Sequence, residues 1–306
     1  MKKIFCILSF FCLFSYAYEL RINSNITTLK LDGQNLYIGT EKGEVLKYNI
    51  QDKSLKKLLS LPKIKDYYGD NFATIYSIDS RYDKLLILSE GDFGSKNLSF
   101  YNKKFTIKKL QEQSVKKIFF IDDNTFIFIL LDSEIILVDR NLKKLKEFQF
   151  SHSSLSDAVL NEDKTQLVAG FESGKVELFD LKKWKILKNY NKMHKDNIYQ
   201  VDFKKNIILS CGTDRRLGIV KNDEQFFLQK DFLIYTCALS PSGKFAIYSD
   251  NEAEISEIFN INNFNTIAKF HNMGVMGEFI IFINENEFII SGFGNKILFR
   301  KVNESL

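Results

Sequence analysis

His152, His194 and His271 are the three imidazoles of this 306-residue chain and its first candidates for metal binding or for proton transfer near neutral pH. A zinc centre would need three or four such ligands about 2 Å from one ion. The three histidines instead precede Val159, Val201 and Glu278 by the same interval of seven residues, which gives each the same place in its own copy of some repeated unit. Equivalent places in a repeat lie round a rim and do not converge. The histidines therefore read as turn-capping residues, and no metal ligand is assigned.

Other signatures of chemistry do not occur. There is no Gly-x-Ser-x-Gly, His-Glu-x-x-His, Cys-x-x-Cys, Cys-x-x-Cys-His or phosphate-binding loop. Gly292 and Gly294, in SGFGNK, sit between short apolar runs without the following helix that would supply a phosphate-binding dipole, so this segment reads as a turn. Asp122, Asp123, Glu285 and Glu287 fall in connections, where solvated carboxylates are the ordinary case. No catalytic and no cofactor-binding residue is assigned, and the chain reads as a non-enzyme that needs no cofactor.

The elements that must position these residues are short strands. In QLVAGFESGKVELFDLKKWKIL (166–187), apolar and polar residues alternate between tight turns at Glu172-Ser173-Gly174 and Lys182-Lys183, which predicts antiparallel strands. The same phrase occurs earlier as LYIGTEKGEVLKYNI, where Gly39, Gly43, Val45 and Tyr48 match Gly170, Gly174, Val176 and Phe179. The first apolar residue after the second turn recurs at Val45, Leu98, Ile135, Val176, Leu217, Ile255 and Ile297, with a mean interval of 42 residues. Four strands per unit at this period predict an all-β, seven-bladed β-propeller.

In the first unit the strands are expected at 26–31, 35–40, 44–50 and 54–61, and in the fourth at 155–160, 166–171, 175–181 and 184–190. The seventh unit ends with its third strand, 296–302. The alternating residues Tyr18 to Ile22 are expected to complete it, closing the ring and removing its exposed edges.

The residues also resemble the WD40-repeat family. MHKDNIYQVDF and IILSCGTDRRLGIV place His194 and Asp214 where the family has its histidine and turn aspartate, and Phe179-Asp180 and Val138-Asp139 stand where it has Trp-Asp. Trp184 lies outside that position, so the motif is degenerate.

The opening residues MKKIFCILSFFCLFSYA, with two lysines, an apolar run and small residues at Ser15 and Ala17, read as a signal peptide cleaved near Ala17. Residues 18–306 then form the propeller domain, delivered to the periplasm. Phe10-Phe11-Cys12 lacks the small residues of a lipoprotein cleavage site, and the apolar run is about half the length that a spanning helix needs. A retained N-terminal anchor is the alternative. Removing Lys2 and Lys3 leaves 41 basic against 38 acidic residues, spread along the chain, so no basic block points to nucleic acid.

An exported propeller beginning YELRINSNITTLKLDGQNLYIGTEKGEVLKYNI is similar to the NapL-type accessory proteins of periplasmic nitrate reductase systems. That resemblance implies a monomeric, non-catalytic helper that assists the reductase through protein contacts. A propeller enzyme or cofactor binder, lactonase-like or quinone-dependent, and an outer-membrane assembly scaffold are the alternatives.

One interval is long, the 53 residues from Val45 to Leu98, and its excess falls at PKIKDYYGDNFAT (62–74). The next unit carries a second unusual loop, SEGDFGSKN (89–97), expected on the same rim. Lys65, Tyr67, Tyr68, Phe72 and Phe93 are the candidate partner-binding residues, because aromatics flanked by charge are the makeup of protein contacts. A self-packed loop covering the channel end is the other reading. Cys211 and Cys237 are expected in neighbouring strands of adjacent blades, either as a disulfide or as two buried thiols.

Overall fold

The computed structural model describes residues 18–303, apart from positions 112, 151 and 152. The signal peptide read in residues 1–17 and the histidine at position 152 lie outside the described residues. Seven four-stranded antiparallel sheets form the body, and a two-stranded hairpin is added to it. The innermost strands are Ile26–Asp32, Ile75–Arg81, Val115–Phe120, Leu155–Leu160, Ile198–Lys204, Ile234–Leu239 and Phe279–Phe282. Their residues together line the cavities along the axis. All seven spacing markers fall at or near the start of a third strand, from Val45 in Glu44–Asn49 to Ile297 in Lys296–Lys301.

Ring closure follows the alternation read at the start of the domain. Tyr18–Arg21 pairs antiparallel with Lys296–Lys301, with Tyr18 opposite Phe299 and Arg21 opposite Lys296. The amide of Ile22 prolongs the ladder to the Asn295 carbonyl at 3.0 Å. The Tyr18 ring stacks on Phe299 at 4.4 Å, and its hydroxyl accepts from Tyr48 of the first blade at 3.2 Å. One strand thus completes the last blade and ties it to the first.

The degenerate Trp-Asp position divides two roles between two residues. Phe179 is fully buried and packs against Phe148 and Phe150 of the preceding blade at 4.8 and 5.4 Å. Asp180 accepts the amides of Lys182 and Lys183, each at 2.8 Å, and so holds the turn after the third strand. Asn49, Asp139 and Asn260 make the same turn in other blades.

This cap also corrects the strand limits, since the third strand of the fourth blade ends at Asp180 and its fourth begins at Lys185. Trp184 stays in the turn, at φ 54°, and its indole donates to the Glu147 carbonyl of the neighbouring blade at 2.8 Å.

Aromatic and β-branched side chains fill the wedges between blades. Between the third and fourth, Ile127, Ile129, Phe150, Leu155, Phe171 and Phe179 form one buried cluster. Burying each such side chain stabilises by roughly 1.5–3 kcal/mol. The turns of the rim pack closely as well. Gly174 lies at φ +78°, and a Cβ there would come within 3.0 Å of the Asp196 carbonyl, so this turn accepts only glycine without strain.

Candidate interaction rim and axial channel

Connections after the second and fourth strands of every blade emerge on one rim. There the long segment between the first two blades folds into a hairpin, Ile64–Asp66 and Gly69–Asn71. Ile64 anchors it in the core beside Leu61 and Ala73. Asp66 accepts the Tyr68 amide at 2.7 Å and the Asn71 amide group at 3.1 Å, setting the tip.

The second unusual loop is shorter than its sequence suggested. Flanking strands extend to Glu90 and from Lys96, leaving a single turn at Asp92–Gly94 with Phe93 at φ 53°. Asp92 accepts the Lys65 amide at 2.8 Å, and Tyr67 meets Phe93 edge-on at 5.6 Å. The structure therefore brings Lys65, Tyr67 and Phe93 together. Phe72 lies apart under the Lys63 ammonium at 5.4 Å, and Tyr68 is 99% exposed at the tip.

Exposed apolar side chains are distributed unevenly. Leu131, Phe232, Met273, Met276 and Phe293 stand on the same rim as the hairpin aromatics, in connections of other blades. Among the described residues, Tyr82 is the one large exposed apolar side chain in a connection of the opposite rim.

The axis opens on the apolar rim through a cavity of about 390 Å³, whose mouth is set by residues at or just before the start of the inner strands, among them Tyr76, Lys116, Tyr199, Tyr235 and Glu278. Burial, then the neighbouring Glu90 carboxylate, pushes the Tyr76 phenol up to about 12. Deeper down, aspartates staple neighbouring blades. Asp79 accepts the Phe120 amide at 2.8 Å, Asp157 the Val201 amide at 3.0 Å and Asp202 the Leu239 amide at 2.8 Å. Burial pushes the Asp202 carboxyl up. Sequence reasoning missed these residues, although an aspartate inside three of the apolar inner strands, in YSIDSR, LSDAVL and YQVDFK, was a visible signal.

His194 has the capping role expected of it. Its side chain is fully buried, with Nδ1 at 3.0 Å from Asp214 and Nε2 at 2.8 Å from Ser210. Asp214 also accepts the amides of Lys195 at 2.8 Å and Arg216 at 3.2 Å. Burial alone would raise that carboxyl, but these bonds outweigh it and hold Asp214 below its usual value.

His271 does not share the place of His194. It ends the fourth strand of the sixth blade, Thr266–His271, with its side chain exposed, because that strand runs on to the rim. Among the described residues no group of three or more His, Cys, Asp or Glu side chains is placed to hold a metal ion. Cys211 and Cys237 are free thiols in one core cluster, and burial, then a hydrogen bond to Cys211, pushes the Cys237 thiol up.

No family model and no curated protein matches the sequence. Among solved structures, the chain is similar to the β-propeller domain of Cps50 (Swd1) from Myceliophteria thermophila, with a TM-score of 0.72 and 15% identity over 92% of this chain and 97% of that one. It is also similar to a chain of the mitotic checkpoint complex, with a TM-score of 0.76 and 12% identity over 93% and 94%. At these identities the likeness is one of fold. The chain is a WD40-like, ring-closed, seven-bladed propeller.

Proposed function

We propose that this protein is an exported, non-catalytic scaffold that docks a protein partner on the rim carrying the aromatic hairpin. One observation carries the reading, namely the concentration of large exposed apolar side chains in the connections of that rim, against Tyr82 in those of the other among the described residues. Large apolar side chains exposed together on one face mark interaction sites, and tyrosine and phenylalanine are favoured anchors. The fold is one typically used for protein contacts. No helix among the described residues is long and apolar enough to cross a membrane. The leader read at 1–17 supports delivery to the periplasm, and the resemblance of the opening strands makes a periplasmic nitrate reductase component the first partner to test.

The test is titration of purified residues 18–306 into purified periplasmic nitrate reductase by isothermal calorimetry, beside the double variant Tyr67→Ser/Tyr68→Ser. Saturable binding is expected, weakened about 30-fold or more in the variant, as for loss of a hot spot worth about 2 kcal/mol. Since Ile64 is part of the core, point substitutions test the contact more cleanly than excision of 62–72. Binding unchanged by the variant would move the contact off the hairpin, and no binding would remove the reductase as the partner.

A further inference from the structure

The mouth of the axial channel holds two charges that form no direct ion pair among the described residues. Elsewhere along the channel charges are consumed in place. Lys30 pairs with Asp79 at 2.6 Å, Lys117 pairs with Asp157, and the two oxygens of Asp202 accept the amides of Phe203 and Leu239. No described residue bonds or pairs with the Glu278 carboxylate. Among the described residues Lys116 donates to the Ser156 carbonyl and forms no ion pair. Desolvation disfavours both charged forms, raising the carboxyl of Glu278, which stays exposed at the mouth, and lowering the Lys116 ammonium against the opposing fields of Asp157 and Glu172. A bound counter-charge would relieve each of them.

Their order round the ring gives the ligand its shape. Lys116 comes from the third blade and Glu278 precedes the inner strand of the seventh, too far round for a mutual ion pair. On the arc between them stand Ser156, Tyr199 and Tyr235, and the two tyrosine rings stack at 4.8 Å and 15°. The wall is thus cationic at one end, carries a stacked aromatic pair in the middle, and is anionic at the other. An ammonium beside Glu278 would also face the Tyr235 ring, a favourable cation–π partner.

We propose that the mouth of the axial channel binds a small extended zwitterion, of the kind a short free peptide presents, with its ammonium at Glu278, its body on Tyr199 and Tyr235, and its carboxylate at Lys116. A cavity of about 390 Å³, lined by both polar and apolar side chains, is in the range of small-ligand sites. This site is separate from the hairpin contact, and neither reading depends on the other.

The experiment is calorimetric titration of the propeller with free trialanine, its N-acetyl form and its C-terminal amide. The free peptide is expected to bind at least tenfold more tightly than either blocked form. Glu278→Gln, nearly isosteric, should erase the difference between free and N-acetyl peptide alone. Lys116→Met should erase the difference between free peptide and amide alone, and Tyr67→Ser/Tyr68→Ser should change neither. Absence of saturable binding by free trialanine, equal binding of all three forms, or variants that weaken all three alike would each overturn the proposal.

Discussion

Asp214 illustrates how one side chain holds a turn of the propeller. It receives the imidazole of His194 and two backbone amides, and these bonds keep its carboxyl below its usual value despite burial. A carboxyl whose folded value is depressed contributes stability that is complete above its unfolded value of roughly 3.9 and fades as pH falls through the folded one. Asp214→Asn is therefore expected to cost about 1–3 kcal/mol at pH 7, the penalty for disturbing a buried bonded group. Urea unfolding across pH 2–7 checks this, with the gap between wild type and variant closing below about pH 4. A gap constant with pH would mean that the carboxylate charge is not what matters. The pairing itself was legible in the sequence, since His194 and Asp214 stand at their expected places. Its partner Ser210 was not singled out, because a serine inside a strand carries no spacing signal of its own.

At the scale of the element, the repeated turn decides the fit of each blade against the next connection. Gly174→Ala would meet both a positive φ and the Asp196 carbonyl, and is expected to destabilise by more than about 1 kcal/mol. Thermal unfolding measures it, and an unchanged midpoint would show that the fourth-blade turn gives way freely. Strand number, order and most limits were readable because alternation and glycine turns are local signals. Of the limits that failed, that at Asp180 failed because its carboxylate caps the turn locally, and that at Trp184 for a tertiary reason, since the indole is drawn to a carbonyl of another blade. The hairpin at 64–71 was legible as an insertion but not as structure, because its register rests on Asp66 and on a distant anchor, Asp92. The rings at Tyr67 and Phe93 were expected on one rim, yet only folding shows them in contact.

For the whole molecule the decisive element is the four-residue strand Tyr18–Arg21. Removing it would expose the edge at Lys296–Lys301 and strip Phe299 of its stacking partner. A chain starting at residue 23 is expected to aggregate and to melt well below the intact domain, which light scattering during a thermal ramp would report. An equally soluble and stable truncation would show that the remaining three strands suffice. The axial pairing of charges was beyond the reach of sequence, because residues of seven separate strands meet there only once the ring exists.

Closure also orders events in time. The first residues of the domain must wait for nearly the last before they can pair, a loop of almost the whole chain where every other blade needs only a hairpin. Bringing such distant ends together costs roughly 3–4 kcal/mol more entropy than closing a turn of a few residues. Blades one to six can form as the chain arrives, while the seventh stays three strands wide and open until the end. The late, unpaired edge is thus the point at which a folding molecule is most exposed to a wrong neighbour.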